Sequence, residues 1–159
     1  MKVICFHNPD EENGYLSNWA LSEFTVNGII FSSMEQYMMY QKAVCFKDEE
    51  IAEKILATTD VAVIKALGRQ VKGYNDGYWN GVRQLLVYEG LKEKFTQNEN
   101  LKKLLLDTED SILAECAVND QIWGIGLSMK DSNRLEPEKW RGQNLLGYAL
   151  MLVRNWIKE

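Results

Sequence analysis

The chain contains a single histidine, His7, among its 159 residues. One imidazole excludes a His-rich metal site, and any Ser-His-Asp or Cys-His triad would have to use it. Cysteine is nearly as sparse. Cys5, Cys45 and Cys116 are far apart and set in the apolar runs VICF, AVCF and ILAECA. No CxxC pair offers half of a zinc site, so the three read as small buried hydrophobes in a reducing compartment. Positive charge is also short: Lys+Arg 18 against Asp+Glu 23 gives a net charge of −5. That argues against a general duplex-binding protein, which needs a broad basic face to release counterions. A phosphorylated small molecule needs only a few local cations and stays open. No apolar run approaches the roughly 20 residues that span a bilayer. The N-terminal MKVICFHNPD is too short in its apolar part for a signal peptide. The expected location is cytoplasmic.

The rest of the composition is that of a soluble folded domain, 46% hydrophobic and 26% charged. The length fits one domain over residues 1–159. Chemistry, if present, must rest on carboxylates, lysine, arginine and tyrosine. Val3 to Phe6 reads as a short strand. In FTVNGIIF, residues 24–31, Asn27-Gly28 supplies the positive φ angles of a two-residue hairpin turn. Ser33 with Gln36 three residues on fits a capping box opening the helix MEQYMMYQKAVCF. Asp48, and Thr59 or Asp60, precede the helical runs EEIAEKILAT and VAVIKALG. Residues 78–96 and 98–106 continue the helical pattern, the second with Leu101, Leu104 and Leu105 on one stripe. SILAEC reads as a strand. In the last helix Leu145, Tyr148, Ala149, Leu152, Val153 and Trp156 recur at helical spacing, with Asn144 as N-cap. The expected fold is α+β, mostly helical with a small antiparallel sheet.

Five constellations carry possible chemistry. Glu35 and Lys42 are nearly two turns apart on one helix face, flanking Met38 and Met39. Burial there would raise a carboxylate pKa and lower an amine pKa, the settings for acid/base or Schiff-base work. A solvated face with two unrelated charges fits the same spacing. Ser17, Asn18 and Trp19 set hydrogen-bonding groups beside a flat ring, an arrangement that turn chemistry also explains. GRQVKGYNDGYWNGVRQ, residues 68–84, places Arg69, Lys72 and Arg83 among Tyr74, Tyr78 and Trp79. Cations beside stackable rings suit a phosphorylated nucleoside, and equally a glycine-rich inter-helix loop packed on the core. In NDQIWGIG, Asp120 precedes Trp123 and Gly124, where backbone could approach a ligand or simply turn. In RGQNLLG, Arg141 and the free amides after Asn144 suggest an anion site at a helix N-terminus, or an ordinary capped helix.

The order of these blocks is more telling than any one of them. SNW, SMEQYMMYQKA, GR, W-x-x-x-R, D-x-x-WG and RGxNxLG together resemble the NADAR family, also called YbiA-like, from about residue 15 to the C-terminus. Gln36 departs from members that carry histidine there, which removes a histidine proton shuttle. The resemblance implies an N-glycosidase that cleaves a ribose C1′–nitrogen bond without metal or cofactor. Implied substrates are phosphorylated ribosylamino-pyrimidine intermediates of riboflavin synthesis, or ADP-ribose attached to guanine in nucleic acid. It implies catalytic roles for Glu35, Lys42 and Asp120. Ligand contacts follow for Ser17, Asn18, Trp19, Arg69, Trp79, Arg83, Trp123, Arg141 and Asn144. Two other classes remain: a non-catalytic reader of ADP-ribose or a related nucleotide, and a helical interaction module.

Overall fold

A computed structural model describes all 159 residues. The chain forms two compact units: Leu21–Gln97, and a terminal unit of Met1–Ala20 with Asn98–Glu159.

The unit Leu21–Gln97 opens with the antiparallel hairpin β2 (Leu21–Val26) and β3 (Ile29–Ser33). Its turn is the expected one, with Asn27 at φ 51° and Gly28 at φ 81°. Helices α1 (Met34–Cys45), α2 (Glu49–Leu56), α3 (Val61–Gly68) and α4 (Asp76–Gln97) follow. Three caps are those the sequence signals: Ser33, Asp48 and Asp60 side chains accept amides of the first turns of α1, α2 and α3. The capping box is only half formed. Ser33 Oγ accepts from Gln36 N at 3.1 Å, but Gln36 Oε1 accepts from Ser32 N at 2.7 Å and Ser32 Oγ at 3.0 Å. Gln36 Nε2 donates to Ile55 O and Thr58 O, so this buried amide ties the start of α1 to the end of α2.

Phe24, Phe31 and Tyr37 form the aromatic centre of this unit, with centroids 5.3–6.0 Å apart. Each pair adds about 0.5–1.5 kcal/mol beyond area burial. Gly90 lets α4 close on it, since a Cβ there would meet the Tyr37 ring and Met34. A second cluster of Ala43, Ile51, Ala52, Ile55, Ile64 and Val71 packs α1, α2 and α3 together. Lys94 is fully buried on α4, and burial pushes its pKa down to about 7.

The terminal unit differs from expectation in its sheet. The predicted antiparallel pair lies in the unit Leu21–Gln97; the terminal unit holds a separate parallel pair, β1 (Val3–Phe6) with β4 (Ile112–Glu115), registered Val3↔Ile112. β1 has no strand nearby in sequence to pair with, so its partner is fixed by long-range packing that a local pattern does not encode. Cys5, Ala114, Cys116, Ile125 and Leu127 form the core around this pair. Cys45 is half-buried in the other unit. His7, the single histidine, is exposed.

Helices α5 (Glu99–Leu106) and α6 (Leu145–Lys158) complete the terminal unit. Their apolar stripes need correction. Of the three leucines expected together on α5, only Leu105 is fully buried, and Leu104 is exposed. On α6 the buried face is Leu146, Gly147, Leu150, Val153 and Arg154, while Tyr148, Leu152 and Trp156 are exposed. Asn144 enters α6 in the left-handed region, φ 55°, with its side chain turned to β4 rather than to the helix. No helix is long and apolar enough to cross a membrane.

Candidate active site

In the unit Leu21–Gln97 the sequence-selected residues converge on Lys42. It sits in the last turn of α1, half-buried, and burial pushes its pKa below the ordinary value of 10.5. Arg83 on α4 and Arg69 after α3 press in the same direction by like-charge repulsion. Glu35 in the first turn of α1 and Asp76 in the first turn of α4 oppose it as counter-charges. Glu35 and Lys42 lie on the same helix, nearly two turns apart, within electrostatic reach of one another. An amine with a lowered pKa beside a carboxylate has a larger unprotonated fraction for attack on carbon.

The aromatic groups are distributed differently from expectation. Trp79 is 4% exposed. A stacking plate needs an open face, so Trp79 is a wall of the fold and not a free platform. The open rings are Tyr74 and Tyr78, both packed edge-on against Phe46 at 5.5 and 5.9 Å. Lys42 Nζ lies 4.5 Å from the Tyr74 centroid, and Tyr74 donates to Asp76 Oδ1 at 2.7 Å. Asp76 went unselected in sequence, because nothing local distinguishes it from an acidic residue in a helix's first turn.

The terminal unit holds the remaining motif residues, and most of their polar groups are spent on the backbone. Asp120 Oδ1 accepts from Ile122 N at 3.0 Å and Trp123 N at 2.9 Å, which builds the D-x-x-WG turn. Oδ2 is outside both bonds. Gly124 serves close packing, not ligand approach: a Cβ there would meet Glu115 O, Ala117 and Asp120 O. The segments 121–125 and 141–146 are laced by bonds from Arg141 N to Ile125 O, Gln143 N to Gln121 O and Asn144 N to Gly124 O. Leu145 N and Leu146 N donate to Ile122 O and Trp123 O. Two of the amides expected to be free at the start of α6, those of Leu145 and Leu146, are therefore occupied. Arg141 itself is exposed.

Asn144 is fully buried and caps nothing. Its Nδ2 donates to Leu113 O at 2.8 Å and its Oδ1 accepts from Glu115 N at 3.0 Å, fixing the end of β4. Ser17 is buried and accepts from Trp19 N at 3.1 Å, the turn geometry the sequence allowed. Asn18 Oδ1 is buried and makes no hydrogen bond, which leaves an acceptor for a ligand donor. Trp19 and Trp123 are half-buried. No group of three or more His, Cys, Asp or Glu side chains could hold a metal ion.

Residues 5–158 match the NADAR domain. The chain belongs to the NADAR family. It is 37% identical to N-glycosidase R617 of Acanthamoeba polyphaga mimivirus, over 96% of this chain and 95% of that protein. It is 31% identical to N-glycosidase YbiA of Escherichia coli, over 98% of this chain and 88% of that protein. It is 33% identical to the riboflavin biosynthesis protein VVA0006 of Vibrio vulnificus, covering 98% of this chain but 39% of that larger protein. The NMR structure of E. coli YbiA superposes with a TM-score of 0.81 at 29% identity, covering 99% of this chain and 85% of YbiA.

Proposed function

We propose that this NADAR chain is an N-glycosidase that hydrolyses the ribose C1′–nitrogen bond of a phosphorylated ribosylamino compound. The observation that carries the reading is Lys42, half-buried beside the Tyr74 ring, its pKa pushed down by burial and within electrostatic reach of Arg83, Arg69, Glu35 and Asp76. The names of the relatives, two N-glycosidases and a riboflavin biosynthesis protein, support the reaction and the substrate class. ADP-ribosylated guanine has the same type of bond and the same need for cations, and is the second substrate to be tried.

Breaking the bond builds positive charge at C1′, which a carboxylate such as Glu35 stabilises. The departing nitrogen takes a proton, for which Glu35 or Asp120 is the donor in this proposal. The free amine of Lys42 attacks C1′ as the nitrogen leaves. The ring then opens to a Schiff base, and water releases the sugar phosphate and restores the amine. Arg69 and Arg83 take the phosphate charge. A Lys42 that grips the phosphate as an ammonium is the alternative role, and it also fits a non-catalytic nucleotide reader; trapping of a sugar adduct separates them.

The test gives purified protein ribosylaminopyrimidine phosphates and ADP-ribosylated guanine DNA side by side, following release of ribose phosphate or ADP-ribose. Borohydride added during turnover is expected to attach the sugar to Lys42. Turnover without any adduct would remove the covalent step, and tight ADP-ribose binding without product would favour the reader.

A further inference from the structure

Lysine is a flexible stem with a mobile charge, and a reacting amine must be held in position to be efficient. The groups that face Lys42 are Glu35 from α1, Arg69 after α3, and Asp76 and Arg83 from α4. The two arginines disfavour its charged form and the two carboxylates favour it. Close contact comes from the loop before α4, where the Tyr74 ring lies 4.5 Å from Nζ, well within the roughly 6 Å over which a ring face attracts a cation.

Tyr74 is unusually well tied for a loop residue. Its hydroxyl donates to Asp76 Oδ1 at 2.7 Å, and Asp76 Oδ2 accepts from Asn80 Nδ2 at 3.0 Å. Its ring packs edge-on to Phe46 at 5.5 Å. Two residues upstream, Lys72 N donates to Asp48 Oδ2 at 2.9 Å, so the cap of α2 also anchors this loop. The bond to Asp76 pushes the Tyr74 pKa up, and the phenol remains a neutral donor at physiological pH. A hydroxyl donating to a carboxylate makes the ring more electron-rich, which strengthens its hold on a cation.

We propose that Tyr74 is a positioning residue: its ring face holds the Lys42 amino group in place, while Asp76 and Phe46 hold the ring. The catalytic consequence rests on the reading that Lys42 reacts with substrate; the positioning itself does not.

The experiment separates the two. Lys42 is acetylated with trace acetic anhydride in wild type, Tyr74→Phe and Tyr74→Leu, and its labelling is read by peptide mass spectrometry beside kcat and KM for the ribosylaminopyrimidine phosphate. Tyr74 is 42% exposed, so both variants are expected to fold, which circular dichroism checks. Tyr74→Leu should label Lys42 about two- to five-fold faster, the factor a partly exposed cation–π contact is worth. Its kcat should fall about five-fold with KM nearly constant. Tyr74→Phe, which keeps the ring but loses its bond to Asp76, should fall between wild type and Tyr74→Leu in both readouts. Labelling of Tyr74→Leu at the wild-type rate overturns the proposal, and so does a Tyr74→Phe protein that behaves like Tyr74→Leu. A raised KM with unchanged kcat and labelling also overturns it, since the ring would then be a substrate plate. If Tyr74→Leu speeds labelling while Lys42→Arg turns over at the wild-type rate, the positioning stands and the covalent reading falls.

Discussion

The two compact units use their motif residues in opposite ways. In Leu21–Gln97, the charged side chains point their chemistry at one another: Lys42 feels Arg83, Arg69, Glu35 and Asp76 together. In the terminal unit, Asp120, Ser17 and Asn144 hand their polar atoms to main-chain groups, and the amides of Leu145 and Leu146 are already bonded. The first arrangement keeps electrostatic work available. The second spends hydrogen bonds on fixing loop shape. The motif side chains of one unit thus act on one another electrostatically, while those of the other largely shape backbone.

The contrast can be broken most sharply at Glu35. Glu35→Gln keeps size and hydrogen bonding but removes the charge, and should cost about 10²–10⁴-fold in turnover with an unchanged circular dichroism spectrum. A helical interaction module would lose nothing. Asp120→Asn asks the same of the terminal unit. Asparagine keeps the Oδ1 acceptor that serves Ile122 and Trp123, so unfolding by urea should be unaffected. As the second carboxylate of the proposal, it should still lose about 100-fold in turnover. Full activity would make Asp120 a scaffold residue like its neighbours and complete the contrast.

Asn144→Ala tests the scaffold directly. It strands Leu113 O and Glu115 N and leaves a left-handed backbone without glycine or asparagine to favour it. A loss of about 2–4 kcal/mol in urea unfolding is expected. The smallest effect is a shift along the pH axis. Arg83 holds the Lys42 pKa down, so Arg83→Met should move it back toward its ordinary value. If the free amine is the acting form, the rising limb of kcat against pH then moves to higher pH. Arg69→Met should move it the same way by less, being the weaker of the two influences.

What could be read in the sequence follows the same divide. Asn27-Gly28, Ser33, Asp48 and Asp60 act within a few residues, and each does what its local chemistry dictates. Glu35 and Lys42 share a helix, so their relation was a matter of helical geometry alone. The amides of Leu145 and Leu146 were lost to a segment over twenty residues away, and the side chain of Asn144 went to β4, about thirty residues back. Asp76 gained its meaning only when the loop after α3 brought Tyr74 to it and both to Lys42. Periodicity reports on neighbours along the chain; it is blind to who arrives from elsewhere.

The parallel pairing of β1 with β4 also orders events in time. Val3 and Ile112 are 112 − 3 = 109 positions apart, so during synthesis β1 emerges long before its partner exists. At about 5–20 residues per second, the apolar edge VICF waits roughly 5–20 s for β4, and Asn144 follows later still. The segment Leu21–Gln97, continuous in sequence, has all its strands and helices by then. The unit that concentrates charge around Lys42 is thus the first that can be complete, and the one that carries both chain ends must be last.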